Sequence, residues 1–286
     1  MPTLLPNGNL QLGLGCSSLG SITGTTGNEA CNLLSAALDE GFRFFDTSSI
    51  YGQGDSESYL GEAIGNRDDC VICSKGGKYL PLARRVFVPA KNLLRGLARL
   101  SPGTRQSIVK ARERPLPTRW DAVFLARSID GSLRRLRRDR IDVYLLHSAP
   151  AETLLCGEAI GALERAKGAG KLGHIGASVD DVAAAHAALN DHRITVLQVP
   201  LHQSDNSYAD VLVRAATQGV FIIAREILGG KQAIAGSADP ALLAETRIAE
   251  MIRSPLVELP LVGTTRLTHL HSAAQFALKA MQDSKE

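Results

Sequence analysis

Eight short apolar runs, each followed by a stretch with helical spacing, recur along almost the whole chain. The runs fall at residues 10–15, 42–46, 71–74, 141–146, 172–177, 195–199, 220–224 and 259–262. Between them, apolar side chains return every three or four residues, as in Ala30, Cys31, Leu33, Leu34, Ala37 and Leu38, or Ala209, Val211, Leu212, Ala215 and Ala216. Gly41, Gly170 and Gly219 stand where such helices should end. Strands that alternate with helices pair in parallel through right-handed crossovers. Eight such units close into a barrel of typically about 250 residues, whereas six or seven suit an open sheet. The pattern predicts an α/β fold: a single (β/α)8 TIM barrel domain over residues 1–286.

Two segments interrupt the repeat. Pro6-Asn7-Gly8-Asn9 is a turn signal that predicts a small hairpin before the first barrel strand. Residues 79–120, after the third strand, form a long basic insertion with ten Lys or Arg against the single acid Glu113. Loops that follow barrel strands sit on the catalytic face. The insertion therefore reads either as a lid that attracts an anionic substrate or as a solvated basic flap.

Composition removes several other classes. With 44% hydrophobic and 21% charged residues, the chain is neither disordered nor collagen-like. No run approaches the roughly 18 apolar residues of a membrane-spanning helix. The opening Met-Pro-Thr-Leu-Leu-Pro-Asn-Gly lacks the features of a signal peptide, so a cytoplasmic location is expected. Five cysteines do not make a disulfide framework, and the lone pair Cys70 and Cys73 lacks the second pair of a zinc ribbon. They read as reduced thiols, and no metal is assigned.

The strand ends carry the chemistry. The second strand runs into Asp46 and Tyr51, the third ends at Lys75, and the fourth at His147. A carboxylate, a phenol, an ammonium and an imidazole thus meet on one rim. A buried lysine needs a charged partner, which Asp46 supplies. An ammonium near a phenol stabilises the phenolate and lowers a pKa that is otherwise near ~10. The phenol then serves as a general acid toward a carbonyl oxygen, with the imidazole donating a second hydrogen bond.

The motifs around these residues resemble the aldo-keto reductase family. They are Phe45-Asp46-Thr47-Ser48-Ser49-Ile50-Tyr51-Gly52 with Ser56-Glu57 and Leu60-Gly61, then Ser132-Leu133-Arg134-Arg135-Leu136 and Ile141-Asp142-Val143-Tyr144-Leu145-Leu146-His147. Gly173-His174-Ile175-Gly176-Ala177-Ser178 and Gln198 follow in order. The resemblance implies a catalytic tetrad of Asp46, Tyr51, Lys75 and His147, with Tyr51 as proton donor. It also implies that Ser178 and Gln198 hold a nicotinamide carboxamide, although Val179 stands where the family usually has Asn. Arg225 occupies the position of an aromatic that stacks on the nicotinamide, and it either stacks in its place or pairs with Glu226 or another acid. Leu228 and Gly230 lie along the pyrophosphate segment, and Gly263, Thr264, Thr265 and Arg266 match the adenosine-phosphate motif. Arg266 as a 2′-phosphate ligand favours NADP(H) over NAD(H). His269, Ser272 and Ala273 replace the family's usual Arg, Glu and Asn.

The resulting expectation is an NADP(H)-dependent reductase of an aldehyde or ketone, with a polar or anionic sugar-like carbonyl as substrate. The alternative is a cofactor-binding regulatory or scaffold barrel with negligible turnover. Neither nucleic acid nor a membrane span is expected as a partner, and a monomer or weak oligomer is expected. Leu19, Tyr79 and Trp120 are candidate substrate contacts, and the small Ser148-Ala149 after His147 suggests an open pocket.

Overall fold

The computed structural model describes residues 4–5, 9–21, 24–65, 67–81, 115–202 and 206–284, without the side chains of residues 231 and 232. The strands are β1 (Gly13–Gly15), β2 (Phe44–Asp46), β3 (Val71–Gly76), β4 (Ile141–His147), β5 (Leu172–Ser178), β6 (Val196–Pro200), β7 (Phe221–Arg225) and β8 (Leu259–Val262). The described helices are α1 (Asn28–Asp39), α2 (Asp55–Ala63), α3 (Ala122–Leu136), α4 (Ala151–Cys156), α5 (Glu158–Gly168), α6 (Val182–Ala188), α7 (Ala209–Gln218), α8 (Gly230–Gly236), α9 (Pro240–Arg253) and α10 (Leu267–Asp283). Each strand pairs in parallel with the next, and β8 closes on β1, giving the (β/α)8 barrel that the alternation predicts.

The two faces of each strand explain where the site lies. Successive side chains on a strand point to opposite sides. Phe44, Cys73, Val143, Leu145, Val196 and Ile223 belong to the core inside the barrel. Their neighbours Phe45, Ile72, Tyr144, Leu146, Leu197 and Ile222 pack outward in the layer beneath the helices. Continuing the inward set by two residues reaches Asp46, Lys75, His147, Gln198 and Arg225. The same parity on β5, where Ile175 and Ala177 face the helices, points Ser178 inward.

The observed strands differ from the predicted runs at their ends. β1 starts at Gly13, because Leu10 and Leu12 are buried without joining the ladder. Apolar spacing reports burial, and pairing is a separate matter. Strands β3 to β7 run one or two residues further than their apolar runs. The backbone ladder continues through polar side chains, pairing Lys75 with Leu145, His147 with Ser178 and Pro200 with Arg225.

The predicted hairpin turn falls on residues 6–8, outside the described residues. Most of the basic insertion, residues 82–114, lies outside them too. The described ends of the insertion meet. Lys78 and Thr118 form an antiparallel bridge, Tyr79 N donates to Pro117 O at 3.0 Å, and Arg119 N donates to Gly77 O at 2.8 Å. Trp120 packs on Gly77, where a Cβ would stand 1.9 Å from the indole Cζ3, and Gly77 has φ +110°. Trp120 thus packs the described end of the insertion against the turn after β3, while Tyr79 makes an edge contact with Phe124 and Leu19 is buried. Among the described residues no helix is long and apolar enough to cross a membrane, and no cluster of His, Cys, Asp or Glu is arranged to hold a metal ion. The five cysteines are free.

Candidate active site

Tyr51 opens a 3-10 turn, Tyr51–Gly54, that follows β2 and turns back over the rim. The turn is pinned by Tyr51 N donating to Ser48 O at 3.0 Å. Gly52 makes it possible: φ is +58°, and a Cβ there would stand 2.6 Å from the carbonyl oxygen of Leu19. The loop after β1 therefore presses directly on the turn that presents Tyr51.

Lys75 is almost fully buried at 1% exposure, and its Nζ donates to both Asp46 oxygens, at 2.6 and 2.7 Å, and to Thr47 O at 3.0 Å. Its ammonium lies 5.3 Å from the centre of the Tyr51 ring. The Tyr51 and His147 rings meet edge to face at 5.7 Å. All four expected catalytic side chains are therefore brought together. Gln198 extends the network, donating from Nε2 to Asp46 Oδ1 at 2.9 Å and accepting from Ser178 Oγ at 2.8 Å.

The electrostatics assign distinct proton states. Burial opposes the Lys75 ammonium, but Asp46, with smaller contributions from Tyr51 and Cys73, holds the pKa above the usual lysine value. For Tyr51 the expected lowering is not the net result. Burial pushes the phenol up, and Lys75 only opposes that rise. Tyr51 therefore holds its proton at neutral pH. Burial, together with Lys75, Lys78 and Arg225, depresses His147 well below the usual imidazole value, so its ring is neutral.

That depression predicts a pH effect on stability. An unfolded histidine titrates near ~6.5, so as pH falls the unfolded chain takes up this proton first. The contribution of His147 is full above about pH 6.5 and is lost below it by about 1.4 kcal/mol per unit, down to the native value. In chemical denaturation across about pH 5 to 7, His147→Gln should remove this slope. An unchanged slope contradicts a neutral native ring.

The expected cofactor residues lie in two groups. Ser178, Gln198 and Arg225 are at the rim with the tetrad. A cavity of about 370 Å³ opens beyond β8, lined by Leu228, Gly263 and Thr264 together with His269, Ser272 and Phe276. Gly230 begins α8 beside it. Thr265 and Arg266 are exposed on the turn before α10, where Thr264 Oγ1 accepts from Arg266 N at 3.1 Å. Arg225 follows the paired reading: its guanidinium donates to Val179 O at 2.8 Å and Asp180 Oδ1 at 2.5 Å, and it pairs with Glu226.

Two residues at the rim were not singled out from the sequence. Lys78 donates from Nζ to Ser148 Oγ at 2.6 Å, so an ammonium stands beside the Ser148-Ala149 segment that suggested an open pocket. Burial lowers its pKa. Its signal is a second lysine three residues after Lys75, in a Gly-Gly turn. Ser48 Oγ lies 2.9 Å from His147 Nδ1. Its signal is its place inside the Asp46–Tyr51 motif.

The model of the Aldo/keto reductase family matches residues 11–242. The 6-dehydroglucose reductase of Novosphingobium aromaticivorans is 30% identical over 185 residues, which is 60% of this chain and 49% of that protein. The chain spans about half the length of the curated relatives it matches. An aldo-keto reductase from Bacillus halodurans in its holo form superposes with TM-score 0.72 at 18% identity, covering 96% of this chain and 90% of that one. An aldo/keto reductase from Klebsiella pneumoniae in complex with NADP and acetate superposes with TM-score 0.67 at 22% identity, covering 93% and 85%. At these identities the two structures speak to the fold.

Proposed function

The chain belongs to the Aldo/keto reductase family, and from that premise we propose that it reduces an aldehyde or ketone to an alcohol with NADPH. The observation that carries the proposal is the buried Asp46–Lys75 pair beneath a protonated Tyr51, with a neutral His147 edge-on to the same ring.

In this reading His147 donates a hydrogen bond to the carbonyl oxygen and polarises it. Tyr51 passes its hydroxyl proton to that oxygen as negative charge develops there. The phenolate left behind is stabilised by Lys75, which Asp46 keeps charged and in place, and solvent then returns the proton to Tyr51. When bound, the nicotinamide supplies a hydride to the carbonyl carbon.

The donor set fits such a cofactor. Ser178 and Gln198 would hold the carboxamide, Leu228 and Gly230 the pyrophosphate, and Gly263, Thr264, Thr265 and Arg266 the adenosine phosphates. The apolar wall of the cavity, including Ile234 and Phe276, suits an adenine ring. The exposed Arg266 guanidinium favours a 2′-phosphate and hence NADPH over NADH. A polar, sugar-like carbonyl is supported by the 6-dehydroglucose reductase relative and by the basic residues of the insertion.

A second reading, a cofactor-binding scaffold, draws on His269, Ser272 and Ala273, which line the cavity where the resembled family usually has Arg, Glu and Asn. Carbonyl-dependent consumption of NADPH separates the two. The reductase reading requires consumption with at least one member of an aldehyde and ketone panel, slower with NADH. Nucleotide binding without consumption favours the scaffold.

A further inference from the structure

We propose that Ser48 is a positioning residue for His147: its hydroxyl donates to Nδ1 and thereby places the ring proton on Nε2. The donors and acceptors around this one buried hydroxyl fix where its proton goes. A serine hydroxyl has one proton to give and two lone pairs to receive with. Ser48 is fully buried, so water does not settle its partners. Two acceptors lie within reach of Oγ: His147 Nδ1 at 2.9 Å and Lys75 O at 3.3 Å.

The carbonyl is already served. Lys75 O accepts the Ser49 hydroxyl at 3.1 Å and the Ser49 N–H at 3.3 Å, which fills its two lone pairs. The Ser48 proton is left for Nδ1, at the shorter distance. The Ile50 N–H approaches Ser48 Oγ at 3.5 Å, on the accepting side of the same oxygen. With the Ser48 proton on Nδ1 every group around Ser48 has a partner, whereas the same proton on Lys75 O would be a third donor to that carbonyl at a longer distance.

The consequence for the ring follows from its charge. A neutral imidazole carries one N–H, and which nitrogen bears it is set by the partner of the other. With Nδ1 accepting from Ser48, Nε2 is the donor. The opposite tautomer would spend the ring's only N–H on Ser48 and leave a lone pair where the proposed mechanism needs a donor. The catalytic consequence rests on the reductase reading, whereas the tautomer itself does not.

The test reads the ring nitrogens directly. Long-range proton–nitrogen correlation spectra of uniformly 15N-labelled protein, with the His147 signals assigned by their loss in His147→Gln, should show Nε2 protonated and Nδ1 accepting. In Ser48→Ala a population protonated on Nδ1 should appear. Turnover should fall about tenfold, with KM and NADPH affinity within about twofold. Ser48→Thr, which keeps the hydroxyl, should restore both the spectrum and the rate.

Protonation of Nδ1 in the wild type overturns the proposal and requires no variant, so a Ser48→Ala chain that fails to fold does not shelter it. Nitrogen shifts unchanged in a folded Ser48→Ala also overturn it. A wild type that turns over no carbonyl overturns the reductase reading alone, and the nitrogen shifts still decide the role of Ser48.

Discussion

Tyr51→Phe should lower turnover by about 10³-fold while NADPH affinity stays within about twofold. The substitution keeps the ring that meets His147 edge to face and lies over the Lys75 ammonium, and it removes only the hydroxyl. None of the residues assigned to the cofactor depends on that oxygen. The loss should therefore fall on the chemical step, as expected for a group that acts in the transition state. Steady-state kinetics with a responsive carbonyl, paired with a nucleotide titration, measure the two quantities. Retention of turnover within about tenfold would transfer the acid role to another group of the tetrad.

Lys75→Met should cost about 3–5 kcal/mol of folding stability, because it breaks a buried ion pair by removing one partner. Asp46 is 5% exposed, and without Lys75 its carboxylate keeps the neutral Gln198 amide and Cys73 thiol beside it but no ammonium. The cost comes mainly from the stranded charge rather than from the lost attraction. Adding Asp46→Asn removes that charge, so the double variant should recover part of the stability without recovering turnover. Equilibrium denaturation of the wild type, the single variant and the double variant measures both effects. A double variant less stable than Lys75→Met would show that the deficit has another origin, such as poor packing of the methionine beneath Tyr51.

The barrel was legible because each of its eight strands carries an apolar run and each crossover a helical one. Period two does more than identify strands. Once Phe44, Cys73 and Val143 are known to face inward, Asp46, Lys75 and His147 must do so as well. Strand ends were less visible, since backbone pairing passes through Lys75 and His147 without an apolar side chain to announce it.

Other features depend on balances that the order of residues does not express. The direction of the Tyr51 shift turns on burial against the field of Lys75, and burial prevails. Arg225 could be read as stacking or paired until Asp180, contributed by the loop after β5, was placed beside it. Lys78 and Ser148 are 70 residues apart and meet only because β3 and β4 are neighbours. The role of Ser48 depends on Ser49 having already filled Lys75 O.

In the proposed reaction a hydride reaches a carbonyl carbon at this rim while Tyr51 supplies the proton. The most direct measurement is label transfer. The purified protein is incubated with NADPH carrying deuterium at both positions of the reduced nicotinamide carbon and with a carbonyl from the responsive panel, and the alcohol is analysed by mass spectrometry. Deuterium on the carbinol carbon, lost when Tyr51 is replaced by Phe, is the predicted result. An alcohol without the label, or no alcohol despite bound NADPH, would contradict the account.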